Sequence, residues 1–161
     1  MNEFKEHLVL RAAEPGDEAF LLSLFSGGRA DLEWADLSRK DKDELIRRQY
    51  FIQQKQLLTY YPFAEYNIVL LGEQPIGRIY IYKGETSYRI LDIILLPQYR
   101  RMGIGTKLLK DILREAAVLC KGVKLGVAWY NDSATRLYKK LGFHTIEDKG
   151  VCCEMQWLPE G

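Results

Sequence analysis

The residues best equipped for chemistry lie in the stretch Leu95 to Leu109, which reads Leu-Leu-Pro-Gln-Tyr-Arg-Arg-Met-Gly-Ile-Gly-Thr-Lys-Leu-Leu. It begins like the end of a strand and finishes like the start of an amphipathic helix, with Arg100, Arg101, Gly103 and Gly105 between. Glycine adopts backbone angles closed to other residues and lets a ligand come close to the main chain. The first amides of a helix lack internal partners, and the helix dipole adds partial positive charge there. Two arginines at the rim add donors suited to phosphate oxygens. Together these features describe a site for a phosphate-bearing ligand. The plain alternative is a strand-to-helix turn with two solvated arginines. Two commoner nucleotide loops are excluded. The Gly-x-x-x-x-Gly-Lys-Ser/Thr of a P-loop is missing, and Gly-x-Gly without a third glycine is a poor dinucleotide fingerprint.

The elements around this loop must hold it in place. Before it, Tyr88 to Leu96 reads as a strand, and Ile90 to Leu96 is apolar except for Asp92, the pattern of a central strand covered on both faces. After it, Ile104 to Cys120 reads as a helix with a buried stripe of Ile104, Leu108, Leu109, Ile112, Leu113, Ala116 and Cys120, and Gly122 fits its end. Lys124 to Trp129 is then a strand, parallel to the earlier one because a helix crosses between them. Asn131 is suited to cap a helix over Ser133 to Leu141, with Gly142 just past its end. Strands near His144 to Asp148 and Val151 to Trp157 close the chain.

Upstream, Leu8 to Ala12 reads as a strand, and a helix follows Pro15-Gly16-Asp17 as far as about Phe25. Arg29 to Lys40 reads as a loop or broken helix anchored by Trp34 and Leu37. Asp41 to Tyr60 is a long helix carrying a stripe of Gln49, Gln53, Gln56 and Tyr60, either a solvated face or a polar wall over a cleft. Tyr66 to Leu71 and Ile76 to Tyr82 form a hairpin. The order β-α-α-β-β-β-α-β-α-β-β predicts a mixed, mostly antiparallel α/β sheet with helices on both faces. At 161 residues, the expectation is one domain spanning 1–161.

Composition narrows the function classes. A net charge of +1 argues against charge-driven nucleic-acid binding. Three cysteines form no disulfide framework, and two histidines without Cys-x-x-Cys make a metal site improbable. No apolar run approaches the roughly 18 residues that span a bilayer. With no leader-like N-terminus either, a cytoplasmic protein with no membrane partner is expected.

Arg100-x-x-Gly103-x-Gly105 resembles the Arg/Gln-x-x-Gly-x-Gly/Ala signature of the acyl-CoA-dependent N-acetyltransferases, the GNAT superfamily. A second stretch is similar to that family's Asn-x-x-Ala-x-x-Leu-Tyr-x-x-x-Gly-Phe: Asn131, Ala134, Leu137, Tyr138, Gly142 and Phe143 fill its positions. The element order also matches, so the resemblance covers nearly the whole chain and implies a GNAT-like fold. It implies acetyl-CoA as cosubstrate, a primary amine of a small molecule or peptide as acceptor, and direct attack with no covalent enzyme intermediate. Pairing of two copies through the late strands would suit the family.

Residue by residue, the resemblance places the pyrophosphate on the loop amides of Arg101, Met102, Gly103, Ile104, Gly105 and Thr106, with Arg100 a further cofactor-binding candidate at the rim. The pantetheine arm would run along Ile93, Ile94 and Leu95, in a splay between that strand and Lys124–Trp129. An amide there would polarise the thioester carbonyl. Asn131 would touch the pantetheine and Ser133 would lie close by. Tyr138 would protonate the departing thiolate; its plain alternative is a buried tyrosine with a backbone partner. A base is also needed, because deprotonating an amine of pKa about 10.4 at pH 7 costs roughly 4–5 kcal/mol. Arg89 and Leu91 share the face of Ile93 by alternation and cannot serve. Asp92 is the carboxylate on this strand, but alternation turns it to the other face unless a bulge re-aims it. Its plain alternative is a structural aspartate holding backbone amides. Glu33, Glu65 and Glu73 are remoter candidates. Arg78 and Arg89 would suit an acidic acceptor if both reached the cleft, and otherwise are solvated or paired with a glutamate. A catalytically silent acyl-CoA sensor is the rival reading.

Overall fold

The computed structural model describes residues 7–27, 32 and 35–160. Glu33 and Trp34 lie outside the described residues. Strand β1 is Leu8–Ala12, followed by a 3-10 turn, Pro15–Asp17, and helix α1, Glu18–Gly27. Helix α2 is Arg39–Tyr60, strand β2 Glu65–Leu71, β3 Gln74–Lys83 and β4 Ser87–Leu95. Helix α3 is Ile104–Val118, β5 Gly122–Ala128, α4 Asp132–Lys140, β6 His144–Asp148 and β7 Cys152–Trp157.

The strands form one seven-stranded sheet in the order β1-β2-β3-β4-β5-β7-β6. Every neighbouring pair is antiparallel except β4 and β5, which run parallel. The crossover through α3 imposes that direction, as the sequence predicts. On one face Ile81, Ile90, Leu125 and Met155 meet Leu109 and Leu113 of α3 and Tyr138 of α4. Ile79 meets Ile104 and Leu108 beside them. On the other face Ile68 packs with Leu21 and Leu24 of α1 and Tyr50 of α2.

Local chemistry sets the boundaries. The Ser38 side chain accepts from the Asp41 amide at 3.1 Å, so α2 starts two residues before the Asp41 expected from the sequence. Pro62 disfavours helical angles at Tyr61 and ends α2 there. The expected helix to Cys120 stops at Val118. Cys120 is exposed and left-handed at φ 57°, closing the last turn rather than joining the buried stripe. Gly122 belongs to β5, where a Cβ would meet Leu158 and the Trp157 carbonyl at 3.0 and 3.1 Å.

One irregularity governs the centre of the sheet. Tyr80 pairs with Asp92, but Ile81 pairs with Ile90, so Leu91 bulges out of the ladder. Arg89 pairs with Tyr82, Asp92 with Tyr80, and Ile94 with Arg78, all on the α2 face. The alternation that put Arg89 beside Ile93 is therefore broken: Ile93 lies under α3 and Arg89 shares the face of Asp92. The β4–β5 ladder also ends here, at Ile90 and Leu125, although both strands continue. Beyond that rung they part.

Candidate active site

The loop after β4 turns through a 3-10 segment at Pro97–Tyr99 and enters α3 through Gly103, left-handed at φ 81°. Arg101 is left-handed too, at φ 60°, an uncommon conformation for a residue with a Cβ. The amides of Ile104, Gly105 and Thr106 form the open first turn of α3. A Cβ on Gly105 would meet only Leu95 Cδ1, at 4.0 Å. Nothing in the protein crowds that position. Arg100, Arg101 and Met102 are exposed around the turn, and Arg100 Nε donates to the Leu95 carbonyl at 3.0 Å. The open first turn lies where the sequence reading expects an anion, and Arg100 is partly committed to buttressing the loop.

Ile93, Ile94 and Leu95 all lie past the last β4–β5 rung, on one lip of the splay. Ile93 and Leu95 pack toward α3, and Ile94 packs toward α1 and α2. The other lip leads through β5 to Asn131, whose side-chain oxygen accepts from the Ala134 amide at 3.2 Å. Asn131 is thus the N-cap of α4, and Ser133 is exposed in its first turn.

Tyr138 faces the sheet from α4 and is 9% exposed, its ring 5.7 Å from that of Phe143. Among the described residues nothing hydrogen-bonds its hydroxyl, so the backbone partner of its plain alternative is missing. Burial, and after it the negative charge of Asp92, push this hydroxyl above the ordinary tyrosine range. The group keeps its proton at neutral pH, and the electrostatic influence of Asp92 extends to it from the opposite face of the sheet.

Asp92 does not hold backbone amides. Its Oδ2 accepts from Arg78, from Nε at 3.0 Å and from Nη2 more closely still. No described residue donates to its Oδ1, and the side chain is 23% exposed. Arg78 is fully buried and neither solvated nor paired with a glutamate. Its guanidinium sits 4.7 Å over the Tyr80 ring, and Nη2 also donates to Gln53 Oε1 at 3.2 Å. Gln53 from the α2 stripe therefore meets the sheet, while Gln56 and Tyr60 are exposed. Arg78 Nη1 and the Tyr80 hydroxyl are buried without a hydrogen-bond partner.

Arg89 also fails to present a free cation. It forks onto Glu154 of β7, with Nη1–Oε2 2.9 Å and Nη2–Oε1 2.7 Å. The guanidinium holds the Glu154 carboxyl below the usual carboxylate range, against the opposing effect of burial. Glu65 pairs with Lys83 at 2.8 Å and Glu73 is exposed in the β2–β3 turn, so neither adjoins Asp92 in the sheet. Sequence reasoning named Gln53 only as one member of the α2 stripe, and it missed Tyr80 and Glu154 as site residues. The period-two spacing of Arg78 and Tyr80 was a legible signal for one polar face of β3; nothing pointed to Glu154, whose partner depends on the bulge.

Among the described residues no three His, Cys, Asp or Glu gather as a metal ion would require, and no helix is long and apolar enough to cross a membrane. The sheet splays beside a glycine-rich helix start. Residues 30–143 match the family described as Acetyltransferase (GNAT) family, and the chain belongs to it. Over 106 residues it is 32% identical to the uncharacterized N-acetyltransferase CgeE of Bacillus subtilis, covering 60% of this chain and 41% of that one. Over 72 residues it is 39% identical to the thialysine N-epsilon-acetyltransferase of Mus musculus, covering 43% and 42%. The chain thus spans about two-fifths of the length of these curated relatives. The crystal structure of the PaiA N-acetyltransferase of Thermoplasma acidophilum, in complex with coenzyme A, superposes with a TM-score of 0.70 at 17% identity, covering 94% of this chain and 98% of that one.

Proposed function

We propose that this protein transfers an acetyl group from acetyl-CoA to a primary amine by direct attack within a ternary complex. The observation that carries the reading is the splay. It opens at the Leu91 bulge, where Asp92 lies on one face of the sheet and the charge of Asp92 acts on the Tyr138 hydroxyl from the other. The anion cradle sits at the outer end of the same strand.

In this reading the pyrophosphate rests on the first turn of α3, rimmed by Arg100, Arg101 and Met102, and the pantetheine lies along Ile93, Ile94 and Leu95. A main-chain amide of that lip polarises the thioester carbonyl, which is preorganised electrostatic stabilisation. The backbone around Asn131 and Ser133 borders the arm on the other side, since the Asn131 side chain is occupied as a cap. Asp92 Oδ1 takes a proton from the acceptor ammonium while Arg78 holds Oδ2. The free amine attacks the carbonyl carbon, a C–N bond forms and the C–S bond breaks. Tyr138 gives its proton to sulfur. The nitrogen loses two protons in all: one leaves through Asp92 to solvent, and the second, released as the amide forms, passes through solvent to reprotonate the Tyr138 phenolate. The chemistry of the relatives supports an amine acceptor, since the thialysine enzyme acetylates an N-epsilon position by its name.

The test is acetyl-CoA turnover against a panel of amines and peptides. Tyr138→Phe should lower kcat by about a hundredfold or more, within the range for losing a general acid, with CoA affinity unchanged. Equal turnover by both proteins would remove Tyr138 as the acid. CoA binding without turnover for any acceptor would favour the silent sensor.

A further inference from the structure

The parallel seam between β4 and β5 is short, joining Ser87–Ile90 to Gly122–Leu125 and then parting. On the α2 face an ion pair spans the seam at that point. Arg89 lies one residue before the last rung, reaches across β5, and makes its two-pronged contact with Glu154 on β7. Both carboxylate oxygens and both terminal guanidinium nitrogens are used. The strand beneath contributes Gly126, which pairs with Glu154 in the β5–β7 ladder. A Cβ on Gly126 would stand 3.3 Å from Glu154 Oε1 and 3.7 Å from Arg89 Nη2. The pair therefore lies against the backbone of Gly126, and a side chain there would press against it. Glu154 is 12% exposed and Arg89 30%, so solvent screens the contact only weakly. A planar fork of this kind fixes direction as well as distance.

Two devices thus meet at the mouth of the splay and act in opposite senses. The Leu91 bulge stops the β4–β5 ladder from zipping further. A bridge from β4 to β7, across the intervening strand, resists peeling of the rungs that remain. The Arg78–Asp92 pair has no such role, since it joins β3 to β4 and never crosses the seam. We propose that Arg89 and Glu154 are positioning residues, a clamp seated on Gly126 that fixes the width of the splay and so sets the affinity of the site for the pantetheine arm. This rests on the reading of the splay as the acetyl-CoA site.

The experiment measures CoA binding by calorimetry, and the KM for acetyl-CoA and kcat with an acceptor found in the panel, for the full chain. Glu154→Gln and Arg89→Gln should each raise the Kd for CoA and the KM for acetyl-CoA about five- to tenfold, the effect of losing one charge-assisted fork. Saturated kcat should stay within about twofold, because the reacting groups are untouched. The exchanged double variant, Arg89→Glu with Glu154→Arg, should recover most of the affinity. Gly126→Ala lifts the pair without removing a charge and should weaken CoA about two- to threefold, the loss expected when a charge-assisted fork is stretched rather than broken; it also serves if a charge variant fails to fold. Wild-type affinity in the single variants and in Gly126→Ala, or no recovery in the exchange, would overturn the clamp alone. Failure of the wild type to bind CoA would overturn the reading of the splay and the clamp with it.

Discussion

Beneath α3 the sheet presents Ile79, Ile81, Ile90 and Leu125, whereas beneath α2 it presents Arg78, Tyr80 and Asp92. The first face is a conventional apolar core, held by burial that depends little on direction. The second is a buried polar layer in which Gln53, Arg78 and Asp92 are joined atom to atom. Such a layer gains little net stability when complete but loses much when one member is removed. In the proposed enzyme the division also separates tasks. The apolar face secures α3 and α4, which carry the phosphate cradle and Tyr138, and the polar face orients the base.

The sharpest way to break this comparison is to damage each face once. Arg78→Met should cost about 3 kcal/mol, since it leaves Asp92 without its partner. Leu109→Ala, in the apolar core, should cost a similar amount, within the roughly 2–5 kcal/mol for such truncations. Thermal melts should therefore fall alike, by several degrees. Turnover should separate the two: at a temperature where both are folded, the Leu109 variant should keep wild-type kcat, and the Arg78 variant should lose about tenfold or more as Asp92 loses its orientation. Equal kcat in both would reduce the Arg78–Asp92 pair to a structural one.

The same division decides what could be read from the sequence. The apolar face was legible. Ile104, Leu108, Leu109 and Leu113 announce α3 by their spacing, and they are buried as predicted. The Gly103/Gly105 turn and the Asn131 cap were legible for the same reason, being local choices of residue for a local conformation. The polar face was legible only on β3, through the alternation of Arg78 and Tyr80. Whether Arg89 points toward Asp92 or away from it depends on one extra residue, Leu91, and no local signal marks where a bulge falls between Ile90 and Asp92. Arg78 looks like a surface arginine until its strand is placed beneath α2 and opposite Asp92. Cys120 shows the limit from the other side: it keeps helical spacing, but the helix ends first and the residue is exposed in the closing turn.

A shift of the pH profile tests whether the two faces communicate through the splay. Asp92→Asn should lower kcat/KM at neutral pH by about a hundredfold, as expected for loss of a general base. It should also change the alkaline limb. An anionic Asp92 opposes ionisation of Tyr138, so the wild-type hydroxyl keeps its proton to higher pH than a free tyrosine. The neutral amide removes that opposition, and the alkaline limb should move down. Burial is the larger cause and is unaffected, so the limb should stay above the ordinary tyrosine value. A pH–rate profile of the variant with an unchanged alkaline limb would show that Asp92 and Tyr138 do not interact through the sheet.

The smallest effect concerns an ion pair far from the splay, and it sharpens the contrast by leaving activity alone. Arg11 of β1 forks onto Asp17 in the turn before α1, with Nη1–Oδ2 2.7 Å and Nη2–Oδ1 2.8 Å, and the Glu14 amide donates to Oδ2 at 2.8 Å. Hydrogen bonding from Arg11 lowers the Asp17 carboxyl to about 2, against the opposing effect of burial. Unfolding returns that carboxyl to about 3.9, so the unfolded chain takes up a proton first as pH falls. The stabilisation is therefore complete above about pH 4 and is lost as pH falls toward 2, the direction for any group whose folded value is depressed. Arg11 is about one-third exposed, so solvent screening brings the contribution down to about 1 kcal/mol or less. Asp17→Asn should remove that much at neutral pH and flatten the stability curve between pH 2 and about 4, measured by urea unfolding across that range. Acetyl transfer at neutral pH should be unchanged, because this pair fastens β1 to α1 and reaches no group at the splay. A loss of turnover in this variant would mean that the edge of the sheet and its centre are coupled.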